Sequence, residues 1–434
     1  MSKTASGFSK KHLIIYALVA VGAVTLFVVL QANYFPEFSM HVHNSGSAFQ
    51  GYTLVVPTVD DIGADLEKPS VIYLIGLGGE VVHSWRVLGS VQLAKLSRDS
   101  NLFYITRDRS FGERAGLRKI DPFGNVLWYF KGPVDHDFCV LPNGNVLLNC
   151  IEDGEAPAIA PGKVSSPKLL EVNQRDGVVW EWRGEDHLDE LTALAGINFP
   201  KDISDGKHMI DGAYDWAHNN TSQVIEENAS GAKDPRFRAG NILISYCNLN
   251  TIAVIDRASS QIVWAWGHRE LDGQHNPMML ENGNILLFDN GTDRGYSRVV
   301  ELNPISEEIV WEYSDHGDRP PMFFSPFTSG VCPLPNGNVL VCQSSHRPPS
   351  LSTRLYAGVG RHLLKKNIAF GRLFEVTQAK DMVWELVTSH CGPLNYSLYQ
   401  AARYPESYVK PLLDVVKPDD VTRKNQLKSL PYLR

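Results

Sequence analysis

Apolar strands alternate with short polar turns along most of the chain, and residues 273–287 show the unit. An apolar run, Asn282-Gly283 and a second apolar run follow one another, with His275 at the mouth. Asn-Gly between apolar runs predicts a β-hairpin, because both residues tolerate positive φ. The spacing His-x4-Leu-x-Asn-Gly-Asn recurs from His136 to Leu147, and a third copy, Ser329 to Leu340, carries Ser329 in the histidine position. A second unit, an apolar strand, a polar turn and a strand ending in tryptophan, occurs at 72–85, 117–128, 169–182, 252–266, 299–311 and 373–384. Hairpin plus tryptophan unit makes four antiparallel strands, and their repetition predicts a radial array of four-stranded sheets.

The pattern therefore predicts an all-β fold, a six-bladed β-propeller of four-stranded antiparallel blades occupying residues 49–405. Five blades are contiguous, at 91–130, 136–182, 218–266, 275–313 and 329–386. The sixth is composite: outer strands 72–75 and 81–85, with 52–56 as a further candidate, and an inner strand from 396–403. Joining both ends of the chain in one sheet removes the open edges of the array. One tryptophan per blade fills the wedge between sheets, each burial contributing about 2–3 kcal/mol.

Strand direction gathers the long connections, 107–116, 151–167, 183–217, 289–297, 315–328 and 343–372, at one face. Long loops on a rigid scaffold are where binding and chemistry concentrate. Within them 186–195 has helical periodicity and is a candidate lid. Residues 406–434 lose the repeat and read as a surface-packed or loose tail.

Ahead of the propeller, residues 13–30 carry no charge and follow Lys3, Lys10 and Lys11, which predicts a transmembrane signal anchor over 12–31. Residues 1–11 then lie in the cytoplasm, 32–48 form a linker, and the propeller is periplasmic or extracellular. A cleaved signal peptide is the rival, disfavoured by the length of the apolar run. Six cysteines are present; hairpin register places Cys139 opposite Leu148 and Cys332 opposite Val341, so free thiols are expected. A formal charge of -7 gives no basic stripe for nucleic acid.

Innermost strands surround a channel, so His136, His218 and His275, with Ser329 beside Thr328, should meet at its mouth. A single histidine is usually a surface or core residue; three at equivalent positions of a repeat are a stronger signal. Three imidazoles also suit zinc, but no His or carboxylate has the spacing of a zinc motif. No cofactor is expected. A histidine cluster without acidic partners suits an anionic group, with imidazole as nucleophile and nearby cations stabilising charge. Arg107, Arg109, Arg294, Arg347, Arg354 and Arg361 are the candidate cations of the loop face.

Several motifs in combination, His136-Asp137-Phe138 before Leu-Pro-Asn-Gly-Asn, Asp215-Trp216-Ala217-His218-Asn219, Gly240-Asn241-Ile242-Leu243-Ile244-Ser245, Gly273-Gln274-His275 with Phe288-Asp289-Asn290-Gly291, and Tyr399-Gln400-Ala401-Ala402-Arg403-Tyr404-Pro405, resemble the bacterial arylsulfate sulfotransferases. The resemblance spans about 136–405. It implies a six-bladed propeller working outside the cytoplasm that moves a sulfuryl group from an aryl sulfate to a phenol without a nucleotide sulfate donor. It also implies His275 as the nucleophile that becomes sulfohistidine, His136 and His218 as holders of sulfuryl oxygens or proton donors, and Thr328 near the hydroxyl donor.

One departure stands out. Where the family carries an arginine after the Ile-Leu-Ile-Ser strand, this chain has Cys247. Loss of such a donor costs about 3 kcal/mol of transition-state stabilisation by analogy with oxyanion holes. Arg294 is the first candidate to replace it from the next blade. The alternative function is a catalytically altered or inactive, membrane-anchored propeller that binds a small anion or a protein partner. A quinoprotein is disfavoured, since no adjacent cysteine pair is present.

Overall fold

The computed structural model describes residues 37–59, 69–106, 115–175, 177–199, 208–210, 212–314, 323–344, 371–389 and 396–416. Six sheets, each with four strands in blade order, make up a six-bladed propeller. Blade one is Val91–Leu96, Leu102–Thr106, Gly116–Ile120 and Val126–Lys131. Blade two is built on Val134–Val140 to Gly177–Arg183, blade three on Asn219–Val224 to Ile262–Trp266, and blade four on His275–Met279 to Glu308–Ser314. Blade five runs from Gly330–Pro333 to Met382–Ser389. Tyr396–Pro405 pairs with Gly51–Val59, followed by Pro69–Ile75 and Val81–Leu88, so the composite sixth blade closes the ring as the sequence pattern predicts.

The hairpin repeat has a physical cause that differs from the expected two-residue turn. Gly144, Gly283 and Gly337 have φ of 84, 87 and 84°, whereas the asparagines before them do not enter the left-handed region. Each N–H closes a turn on the leucine three residues back, and Leu141, Leu280 and Leu334 in turn bond Asn145, Asn284 and Asn338. Such a turn shifts the pairing by one: Cys139 faces Leu147 and Cys332 faces Leu340. The second asparagine is an anchor. Asn145, Asn284 and Asn338 each donate to a glutamate on the third strand, Glu171, Glu301 and Glu375, at 2.5–2.7 Å.

Tryptophans bridge blades as predicted, and by more than packing. Trp182 donates to Ser260 O, Trp311 to Gln378 O and Trp384 to Leu77 O, in each case in the turn between outer strands of the following blade. Of the tryptophans that end the repeat unit, Trp85, Trp182 and Trp384 are buried, whereas Trp128, Trp266 and Trp311 are half-buried, and Trp264 is the buried tryptophan of blade three.

Each inner strand has one edge unpaired toward the channel, and side chains of the preceding blade satisfy it. Gln92 accepts from His136 N, Asp137 from Ser222 N, Thr221 from Asn276 N, Gln223 from Met279 N and Asn276 from Val331 N. A lone backbone N–H left dry is costly, so this girdle fixes blade against blade around the site.

Three elements differ from expectation. Glu37–His43, inside the predicted linker, is a fifth strand on the outer edge of blade five. The tail begins as the helix Glu406–Val415, whose Val409 and Leu412 are buried with Leu54, Leu96 and Tyr104. Its apolar face is what the loss of strand periodicity hid. The helix Leu188–Ala195 forms as periodicity predicts, but Leu191 is fully buried in the core of blades two and three, so the segment is a wedge rather than a lid.

None of the described helices is long and apolar enough to cross a membrane, and residues 13–30 lie outside the described residues. Arg107, Arg109, Arg347, Arg354 and Arg361 also lie outside them.

Candidate functional site

The histidine positions of three successive inner strands converge at the channel mouth. The rings of His136 and His218 are 4.6 Å apart between centroids and inclined by 75°. Tyr399, from the inner strand of the composite blade, lies 5.8 Å from His136 and 6.3 Å from His275. Its hydroxyl donates to Asn220 O at 2.9 Å, which ties blade six to blade three beneath the imidazoles.

Backbone strain aims these side chains. His136 and His218 have φ of 64 and 48°, and Asn276, one residue after His275, has 53°. His136 and Asn276 lie within register shifts of their strands, and His218 immediately precedes the shift between Asn219 and Thr221. A bulge with one residue in the left-handed region re-aims a side chain out of the pleat, at a cost of about 1–3 kcal/mol, and such strain concentrates at functional sites.

The three imidazoles differ chemically. His275 Nδ1 is 2.8 Å from Asn290 Oδ1 and 3.0 Å from Gly273 O, both acceptors, so Nδ1 carries the proton and Nε2 keeps its lone pair. Burial lowers the His275 pKa to about 3; His218 and His136 push the same way, against the hydrogen bonds of Asn290 and Gly273. His275 is a neutral imidazole across the physiological range.

His218 and His136 instead face carboxylates, which corrects the expectation of a cluster without acidic partners. His218 Nδ1 bonds Asp215 Oδ2 at 2.5 Å, and His136 Nδ1 lies 2.8 Å from Asp135 Oδ2. Burial favours the neutral acid at Asp215, but the charge and hydrogen bond of His218, aided by His136, outweigh it and hold the pKa low. Both carboxylates and His218 line a small cleft at the seam of blades two and three, with Cys150, Ile151, Pro167 and Asn219.

Cys247 follows blade three's second strand directly and donates its N–H to His218 O at 3.1 Å. Burial and then the fields of Asp215 and Asp272 push its thiol up to about 12, partly offset by Asn220, so it is a neutral S–H group. Arg294, the expected replacement for the missing cation, is held in an ion pair. Its guanidinium is engaged by Asp289 at 3.1 Å and by the carbonyls of Asp289 and Tyr296.

Thr328 touches the site through its carbonyl, which accepts from Asn290 Nδ2 at 2.8 Å, while its hydroxyl donates to Phe327 O. The fully buried Ser329 hydroxyl accepts from Ser344 N at 3.0 Å and works within blade five. Among the described residues no three His, Cys, Asp or Glu side chains are disposed to hold a metal ion. Asp135, Asn290 and Tyr399 have no role in the repeat-based prediction. Asp135 adjoins His136, yet Asp215 is three residues from His218, so no common spacing marks the pairs.

The fold and this cluster define a six-bladed propeller with a buried, neutral histidine beside two aspartate–histidine pairs. Residues 92–272 match the arylsulfotransferase (ASST) family model, which supports the arylsulfotransferase family reading drawn from the sequence motifs. No curated protein matches the chain. Among solved structures, a protein of unknown function from Bacteroides caccae is similar at 15% identity and TM-score 0.47, over 81% of this chain and 98% of that one. TolB from Acinetobacter baumannii is similar at 10% identity and TM-score 0.46, over 83% and 69% of the two chains. Virginiamycin B lyase from Staphylococcus aureus gives 11% identity and TM-score 0.36, over 84% and 99%.

Proposed function

We propose that this protein transfers a sulfuryl group from an aryl sulfate to a phenol through a sulfohistidine on His275. The observation that carries the proposal is the commitment of His275 Nδ1 to Asn290 and Gly273, which leaves Nε2 as a fixed lone pair. In the first half-reaction Nε2 attacks sulfur, the S–O bond to the aryl group breaks, and His218 Nε2–H gives a proton to the departing oxygen. In the second, His218 takes the proton of the acceptor phenol, whose oxygen attacks sulfur as the N–S bond breaks. Asp215 holds His218 for both steps. His218 is chosen as acid and base because its side chain is 20% exposed against 6% for His136, so substrate oxygen reaches it more readily.

Among the described residues, with Cys247 neutral and Arg294 engaged by Asp289, the aspartate-paired histidines are the groups assigned to the sulfuryl oxygens. His136 then holds sulfuryl oxygens.

The test is turnover of an aryl sulfate with a phenol acceptor by wild type and His275→Ala. Transfer by wild type, reduced at least about 1,000-fold in the variant, is expected for loss of a nucleophile. Undiminished transfer by the variant removes His275 from the role. Absence of transfer by wild type favours the second reading, a propeller that binds a small anion or protein partner, to which Cys247 lends support.

We further propose that residues 13–30 anchor the chain with its N-terminus in the cytoplasm, on the strength of their apolar length and preceding lysines. Retention of the full chain in membranes after alkaline carbonate washing is expected; its release contradicts the anchor.

A further inference from the structure

Several large apolar side chains exposed to solvent belong to outer strands, such as Val126, Leu127, Val178, Val179 and Val310. Phe327 does not. It is 54% exposed in the connection that enters blade five, one residue before Thr328, whose carbonyl accepts from Asn290. Its described part, 323–328, is held by hydrogen bonds: Thr292 Oγ1 donates to Pro326 O at 2.5 Å, and Ser325 N donates to Ser297 Oγ at 2.8 Å. Thr328 and Ser329, the next two residues, have φ of 58 and 81°, a strained pair in non-glycine residues.

One carboxamide joins this connection to the reacting histidine. Asn290 Oδ1 accepts from His275 Nδ1–H, while its Nδ2 donates to Ser325 O and to Thr328 O, both at 2.8 Å. The backbone on both sides of Phe327 is therefore fixed by the group that fixes the nucleophile. Keeping a phenylalanine in water on a strained, hydrogen-bonded loop stabilises nothing in the fold. An aromatic face held open is suited to stack another ring, an interaction worth about 0.5–1.5 kcal/mol beyond the area it covers.

We propose that Phe327 is the specificity-determining residue that stacks the aryl ring of donor and acceptor, so that the site takes aryl rather than alkyl sulfates and alcohols. The inference rests on the sulfuryl-transfer reading, but its test does not need turnover. Calorimetric titration of 4-nitrophenyl sulfate and of a simple alkyl sulfate into wild type, Phe327→Ala and Phe327→Tyr is run beside the transfer assay. Expected are aryl sulfate affinity at least 5-fold weaker in Phe327→Ala, restored in Phe327→Tyr, and alkyl sulfate affinity unchanged. Equal aryl sulfate affinity in wild type and Phe327→Ala overturns the inference, as does failure of wild type to bind aryl sulfate. Binding that depends on Phe327 without any transfer upholds the stacking role and overturns only the enzymatic reading.

Discussion

At the scale of single residues, the site separates three chemically identical side chains by what stands behind them. Burial keeps His275 neutral while an amide oxygen and a backbone carbonyl orient its ring, and carboxylates stand behind His136 and His218. Replacing Asn290 by Asp puts a carboxylate where a neutral oxygen was, which favours imidazolium and raises the His275 pKa. The neutral nucleophile is then lost as pH falls, so the rate of His275 sulfation should acquire an acid limb that wild type, with its pKa near 3, lacks above about pH 4. Asn290→Ala removes orientation without adding charge and should slow transfer about 10–100-fold, by analogy with groups that orient metal-ligating histidines. Stability carries a related sign. The folded pKa of His275 lies below the unfolded value, so the unfolded chain binds the extra proton and stability is lost as pH falls from about 6.5 toward 3. His275→Gln should flatten that decline in denaturant titrations across this window.

The histidines were legible at this scale because they share one position in a repeat. Asp215 and Asn290 stand in the motifs that carry the family resemblance, but their pairing with the histidines was not legible, and neither was Asp135. Asp135 and Asp215 stand at different offsets from their histidines, and Asn290 reaches His275 from the neighbouring strand, 15 residues on. Pairings that tertiary structure makes leave no period to read.

At the scale of elements, the recurring Asn-Gly-Asn turn is a device for holding the third strand. Its glycine supplies positive φ, its first asparagine bonds the backbone two residues on, and its second reaches a glutamate across the sheet. Asn284→Ala leaves Glu301 with one partner fewer and should cost about 1–2 kcal/mol in urea unfolding, with little effect on chemistry at the opposite end of the strand. The repeat showed where the hairpins lie but not their register. Asn-Gly in a two-residue loop and in a longer turn ending on glycine look alike in sequence, and only the latter places Cys139 opposite Leu147. Glu37–His43 was hidden for another reason: an edge strand that pairs on one side needs no strong alternation.

At the scale of the whole molecule, closure depends on the chain's two ends meeting in blade six, and a buried ion pair locks that blade to blade five. Arg403 bonds Glu375 at 2.5 Å, Thr53 Oγ1 at 2.9 Å and the face of Trp384 at 4.1 Å, with neither charged side chain exposed. Glu375 also accepts from Phe49 N and Asn338. Arg403→Met strands a buried carboxylate and should cost about 3–5 kcal/mol, whereas pairing it with Glu375→Leu should recover part of the loss. The C-terminal helix covers the same closure. Ending the chain after Pro405 removes Val409, Leu412 and Val416 and uncovers Leu54, Leu96 and Tyr104, against which they pack, with an expected loss of about 3 kcal/mol or more in denaturant unfolding. The composite blade was legible because five complete units left the sixth to be shared between the ends. The helix was not, since nothing in a strand repeat announces what covers its seam.

All three scales meet in one claim, that a propeller built for rigidity holds a neutral imidazole with its Nε2 open to an electrophilic sulfur. The most direct measurement is rapid-quench mass spectrometry of the full chain mixed with an aryl sulfate and no acceptor. The account predicts one sulfuryl group per chain on His275, labile in acid and discharged when a phenol is added. An adduct mapped to another residue, or full release of phenol with no adduct at any mixing time, contradicts it.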